Sequence, residues 1–110
     1  MDPVEINAGS WYLRGLRADD RVDDRPALAD LGETDPDYVA AAETGWVSDR
    51  RYTWAVCEPS SGELLAEVTL DPNTARLESR ARPGHGHAAA ICADTVRRYA
   101  SQALGLRVRA

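Results

Sequence analysis

Lysine is missing from this chain: all 13 of its basic residues are arginine. We read that as an effect of codon composition, without bearing on chemistry. Cysteine is scarce, and Cys57 and Cys92 stand too far apart for a metal-binding or redox spacing, so buried, reduced thiols are expected. No apolar run approaches the length of a membrane span although 44% of the residues are hydrophobic, which points to a soluble globular protein without membrane association. The opening stretch MDPVEINAGSW lacks a basic segment followed by an apolar one, which argues against secretion and for the cytoplasm. No internal repeat or low-complexity tract is visible, and residues 1–110 are expected to form one domain with a modest core.

What is present is charge, unevenly placed. The net charge of −5 divides into −10 over residues 1–71 and +5 over residues 72–110. The overall acidity excludes a nucleic-acid binder, and an anion, if one binds, is expected late in the chain. The competing reading of the late arginines is a solvated surface.

The stretch SWYLRGLRAD alternates as a strand does, with Trp11, Leu13 and Gly15 against Tyr12, Arg14 and Leu16. DDRPALADL then reads as a short helix, with acids before Pro26 and Gly32 closing it, and TDPDYVAAAETG repeats that grammar with Asp35 as N-cap and Gly45 as the stop. The acids between Asp19 and Asp24 could chelate a cation, but helix-start chemistry explains them more economically. RYTWAVCE and ELLAEVTL, joined by PSSG, form the strongest local signal, an antiparallel hairpin. After the turn DPNT comes a polar strand, ARLESRAR, with Leu77, Ser79 and Ala81 on one side and Arg76, Glu78, Arg80 and Arg82 on the other. Ala89, Cys92, Val96, Tyr99, Ala100 and Ala103 mark one face of a final helix, which Leu-Gly ends before a short last strand, LRVRA.

Between the polar strand and that helix lies RPGHGHAAA. Strand, glycine-rich turn, helix and strand make a βαβ unit, whose turn opens beside the helix N-terminus. Backbone N–H groups there have no partner within the helix, and their partial positive charge favours an anion. Gly84 and Gly86 would let the backbone approach a phosphate, and Ala88 and Ala89 keep the first turn narrow. Gly-x-Gly before a helix is also simply a common turn. His85 and His87 alone are too few for a metal site, and none is expected. A cysteine nucleophile is disfavoured because both thiols fall in apolar patterns.

The whole layout resembles the GNAT superfamily of N-acetyltransferases, in particular proteins similar to ribosomal-protein N-terminal acetyltransferases. WYLRGLRADD is similar to that family's first strand, DDRPALADL to its first helix, RYTWAVCEPSSGELLAEVTL to its second and third strands, and GHGHAAAICADTVRRYASQALGL to its acetyl-CoA loop and helix. The resemblance covers nearly all of residues 10–109 and implies an α/β (α+β) fold, a mixed sheet of about five strands with three helices. It implies acetyl-CoA as co-substrate and transfer of an acetyl group to a primary amine, carried by a small molecule or a peptide. The implied cofactor contacts are Ala81, Gly84, His85, Gly86, His87 and Ala88, with Ala81 on the strand that would hold the pantetheine arm. Glu78 is the implied catalytic base, although an outward-pointing strand Glu paired with Arg76 or Arg80 is the commoner explanation.

Three departures accompany the resemblance. The family's loop begins with Arg or Gln, where this chain has Pro83, with Arg82 one place early. The strand and loop SRARPGHG are short and polar. The family continues past its fifth strand with a helix and a hairpin, and a tyrosine acting as general acid often comes from that helix. Tyr99, on the apolar helical face, is expected in the core and no replacement. The alternative is therefore a non-catalytic GNAT-like module that binds CoA or a protein. The sheet edge left open would be covered by a partner or a second copy.

Overall fold

A computed structural model describes residues 1–109. Five strands, β1 (Ile6–Ala8), β2 (Trp11–Gly15), β3 (Tyr52–Cys57), β4 (Leu64–Asp71) and β5 (Arg76–Ala81), form one sheet in chain order with every neighbour antiparallel. Helices α1 (Arg25–Ala29) and α2 (Tyr38–Val47) fall between β2 and β3, and α3 (Gly86–Leu104) follows β5. This is an α+β arrangement of five strands and three helices.

The period-two reading of the hairpin holds. Tyr52 to Val56 pair with Leu70 to Ala66, and a bulge follows where Cys57 meets Leu64. All of β3 and nearly all of β4 are buried, so both sheet faces are covered. On one face Leu13, Trp54, Val56, Val68, Leu70 and Leu77 pack with Ala88, Ala89, Cys92, Val96 and Ala100 of α3. On the other, Leu16, Leu28, Val39, Ala42, Ala55 and Leu64 form a smaller cluster. Tyr99 joins the first core edge-to-face with Trp54, the ring centroids 6.1 Å apart, as its place on the apolar face predicts.

Four local expectations are corrected. Asp37, not Asp35, precedes α2, while Asp35 accepts from the Asp37 N–H. Gly45 does not stop α2, which runs two residues further. A Cβ at Gly45 would lie 2.7 Å from the Arg51 carbonyl oxygen, so glycine there permits the chain to pass close by. Asp24 directly precedes α1, but its side chain serves Arg14 rather than capping that helix. Both carboxylate oxygens accept from the Arg14 guanidinium at 2.8 Å, and the pair is buried. Burial works against that guanidinium's charge, but Asp24 more than offsets it, so its pKa is raised. Finally, the last strand reduces to one parallel bridge, Arg109 to Arg76, while Ile6–Ala8 adds a first strand through Gly9 at φ +68°.

Candidate functional site

The outer edge of β5 and the start of α3 meet at one corner. Leu77 N–H donates outward to the Arg109 carbonyl at 3.2 Å, and Arg109 N–H donates to the Ala75 carbonyl at 2.7 Å. Peptide groups alternate along a strand, so Ser79 and Ala81 turn their N–H and C=O to that same edge. Beyond Arg109, no described residue pairs with them. At the strand's end, His85 N–H donates to the Arg82 carbonyl at 3.0 Å, with Pro83 and Gly84 (φ +85°) between, the geometry of a type II turn. The first bond of α3 is Ala89 N–H to the His85 carbonyl, 3.2 Å. The amides of Gly86, His87 and Ala88 therefore precede the ladder, and no side chain caps them. A Cβ at Gly86 would meet nothing within 4 Å, which leaves the space above these amides open.

The face opposite α3 carries a polar trough beside β5. Two adjoining hollows of about 240 and 170 Å³ share Arg51, Thr69 and Glu78. Arg50, Asp71 and Arg76 complete the first, and Tyr38, Glu67, Ser79 and Arg80 line the second together with Glu33. Glu67 is only 2% exposed. Its carboxylate accepts from the Tyr38 hydroxyl and from Arg80 Nε, each at 2.7 Å, and Arg80 reaches Glu33 at 3.1 Å. Burial, then the Glu67 carboxylate, push the Tyr38 phenol up to about 12. Burial opposes the Arg80 charge, and Glu67 outweighs it, so Arg80 is raised above its usual value.

No family model matches the chain, and no curated protein does. Among solved structures, the chain is similar to a Vibrio cholerae protein described as a candidate ribosomal-protein-serine acetyltransferase, with a TM-score of 0.66 and 15% identity over 90% of this chain and 69% of that one. The fold is GNAT-like. At that identity the likeness concerns architecture, and the chemistry must be read from this chain's own residues.

The residues expected from the GNAT-like pattern divide into groups. Gly86, His87 and Ala88 gather their amides at the helix start, and Ala81 sits on the open edge just before the turn. The amide of His85 is withdrawn from this set, because the turn already uses it. Gly84 meets the turn's positive φ, which explains that glycine without a ligand. The His87 ring rests edge-to-face on Trp11 at 5.8 Å. Glu78 lies in the trough, 58% exposed, and holds Arg76 Nε at 2.6 Å.

The basic strand is less free than its sequence implies. Arg76 is paired with Glu78, Arg80 with Glu67 and Glu33, and Arg82 with Glu63 and Asp30. Apart from Arg76–Glu78, folding thus sets acids of the first part against arginines of the last, and the anion-attracting charge left at the corner is that of backbone amides. Glu67 escaped sequence reading because an acid facing away from an alternating apolar set normally points to solvent. Here α2 and the loop before it cover that face. Cys57 and Cys92 are both free and buried, and burial pushes their thiols up to about 12 and about 11, away from nucleophilic use.

Proposed function

We propose that this chain binds acetyl-CoA at the corner of β5 and α3 and transfers the acetyl group to a primary amine held in the trough. The supporting observation is the continuity of unpaired backbone donors, from the Ser79 and Ala81 edge to the Gly86–Ala88 amides. A pyrophosphate suits three converging N–H groups with open space above Gly86. An amide-bearing arm suits a bare strand edge, pairing as a further strand would. When bound, the thioester would supply an activated acyl carbon for attack by the amine.

The chain's own residues then have separate tasks. The outward peptide groups of β5 orient the arm, and their N–H groups are preorganised for charge developing on an acyl oxygen. Glu78, beside Ser79 and open to the trough, accepts a proton from the incoming ammonium, and Arg76 holds it in place. Cytoplasmic residence and an acceptor that is a small molecule or a peptide belong to this same reading. A second reading, binding of CoA without turnover, is favoured by the Arg76–Glu78 pair, which competes for the base.

Calorimetric titration with CoA and acetyl-CoA tests the corner. Binding that Gly86→Glu abolishes, while the variant keeps its circular dichroism spectrum, is the expected result. Absence of binding at millimolar ligand would refute it. Turnover with a panel of amines, lost in Glu78→Gln, separates catalysis from binding alone.

A further inference from the structure

We propose that the trough takes a zwitterionic acceptor, an amine carrying a carboxylate a few bonds away, and that Arg51 recognises the carboxylate. This rests on the acyl-transfer reading for the amine's fate but not for its binding. Among the described residues, Arg51 has no carboxylate within 4.0 Å, whereas Arg76 and Arg80 on the facing strand are both held by acids. Arg51 nonetheless lines both hollows, on the same sheet face as Glu78.

Its backbone is fixed. The N–H groups of Arg50 and Arg51 both donate to the Gly45 carbonyl, at 3.0 and 3.3 Å, where α2 passes too close for any Cβ at Gly45. A guanidinium is planar, permanently charged and matched to a carboxylate by two parallel N–H bonds. The facing carboxylate, Glu78, is the group that would receive the ammonium. Asp71 is less free, because its oxygen accepts from the Asn73 and Thr74 N–H groups. Arg51, where the two hollows join, and Arg50 in the first are therefore cations with no acid partner among the described residues, beside the accessible carboxylate of Glu78, and together they are the complement of a small amino acid.

Binding can be read without any acyl donor. The folded chain, with its arginine Nε–H groups isotopically labelled, is titrated with β-alanine and, in parallel, with propylamine, which lacks the carboxylate. The expected result is a shift of the Arg51 Nε–H with β-alanine, and affinity for β-alanine at least about tenfold above that for propylamine, the size of one charge-assisted bond. Arg51→Gln should remove that preference while propylamine binding does not weaken, and Arg51→Lys should restore part of it. Equal affinity for the two amines, or an undiminished preference in Arg51→Gln, would overturn the proposal. Because no acetyl-CoA is present, failure of the corner to bind CoA would leave this result standing, and the two failures are separable.

Discussion

Gly84 and Gly86 look equivalent in the sequence, yet the structure gives them different reasons, and two alanine substitutions separate these. Gly84 sits at φ +85°, in the second central position of the turn closed by His85 N–H and the Arg82 carbonyl. Alanine there gains no steric clash, since a Cβ meets nothing within 4 Å, but it must adopt a left-handed backbone that costs roughly 1–2 kcal/mol. Gly86 is the first residue of α3 with ordinary helical φ and equally open space. Alanine there loses nothing in the free protein and contributes up to about 1 kcal/mol by restricting the unfolded chain and favouring helix. Gly84→Ala should therefore lower the urea midpoint and Gly86→Ala should leave it unchanged or raise it. Thermal midpoints would move apart by several degrees, at roughly 4–8 °C per kcal/mol for a chain near this size. Acetyl-CoA affinity should show the reverse order of sensitivity, because the Gly86 methyl would enter the open space above the three amides. Equal destabilisation by both substitutions, or a stable Gly84→Ala, would refute the turn assignment and with it the division of labour between the glycines.

Three further outcomes are expected. Asp24→Ala should destabilise by about 3–5 kcal/mol in chemical denaturation, because it strands the buried Arg14 guanidinium, while a double change of Arg14→Met with Asp24→Leu should recover most of that loss. Glu58, held at about 2 by the Ser60 hydroxyl and the Ser60 and Ser61 N–H groups, favours the folded state above its ordinary value of 4.5. That contribution is lost as pH falls from about 5 toward 2, so the stability gap between the native chain and Glu58→Gln should close over this window. Both thiols should resist a thiol-reactive chromophore at pH 8 and react fully in denaturant, since burial raises Cys57 to about 12 and Cys92 to about 11. Rapid labelling of the folded protein would contradict their placement.

The elements most legible in the sequence were those whose reasons are local. The β3–β4 hairpin declares itself because Tyr52, Trp54 and Val56 and then Ala66, Val68 and Leu70 keep a two-residue period around a polar turn. The helix α3 does so because its small and apolar residues follow a helical period. Features set by distant partners stayed hidden. Gly45 reads as a helix stop, since nothing nearby reveals that Arg51 will pass within contact of it. Asp24 reads with its neighbours as helix-start chemistry because Arg14 is brought to it only by the fold. Ile6–Ala8 is too short to show alternation, and it becomes a strand because Leu13 and its neighbours supply an edge. Of the candidate site, order along the chain is what singles out the loop and Ala81, while Glu67, Tyr38 and Arg51 come together only through the packing of α2 on the sheet.

The charge asymmetry has a consequence for how an anion could be held. Late arginines beside a glycine loop suggest a cationic socket, but Arg82, the nearest to the loop, is bound by Glu63 and Asp30 and also donates to the Leu64 carbonyl. Freeing it for a phosphate would leave two carboxylates without their partner, so the gain from a new pair would be offset by the pair lost. Pro83 contributes no donor. With Gly84 explained by its turn and the His85 amide already used, attraction at the corner reduces to the helix-start amides of Gly86, His87 and Ala88. Such amides act at hydrogen-bond range and carry only partial charge, whereas full charges on mobile surface cations act over about 10 Å in 0.1 M salt. Acetyl-CoA affinity should accordingly fall only shallowly with ionic strength. A steep salt dependence would instead show that Arg82 leaves its acids to bind the ligand, and would move the recognition from the backbone to a side chain.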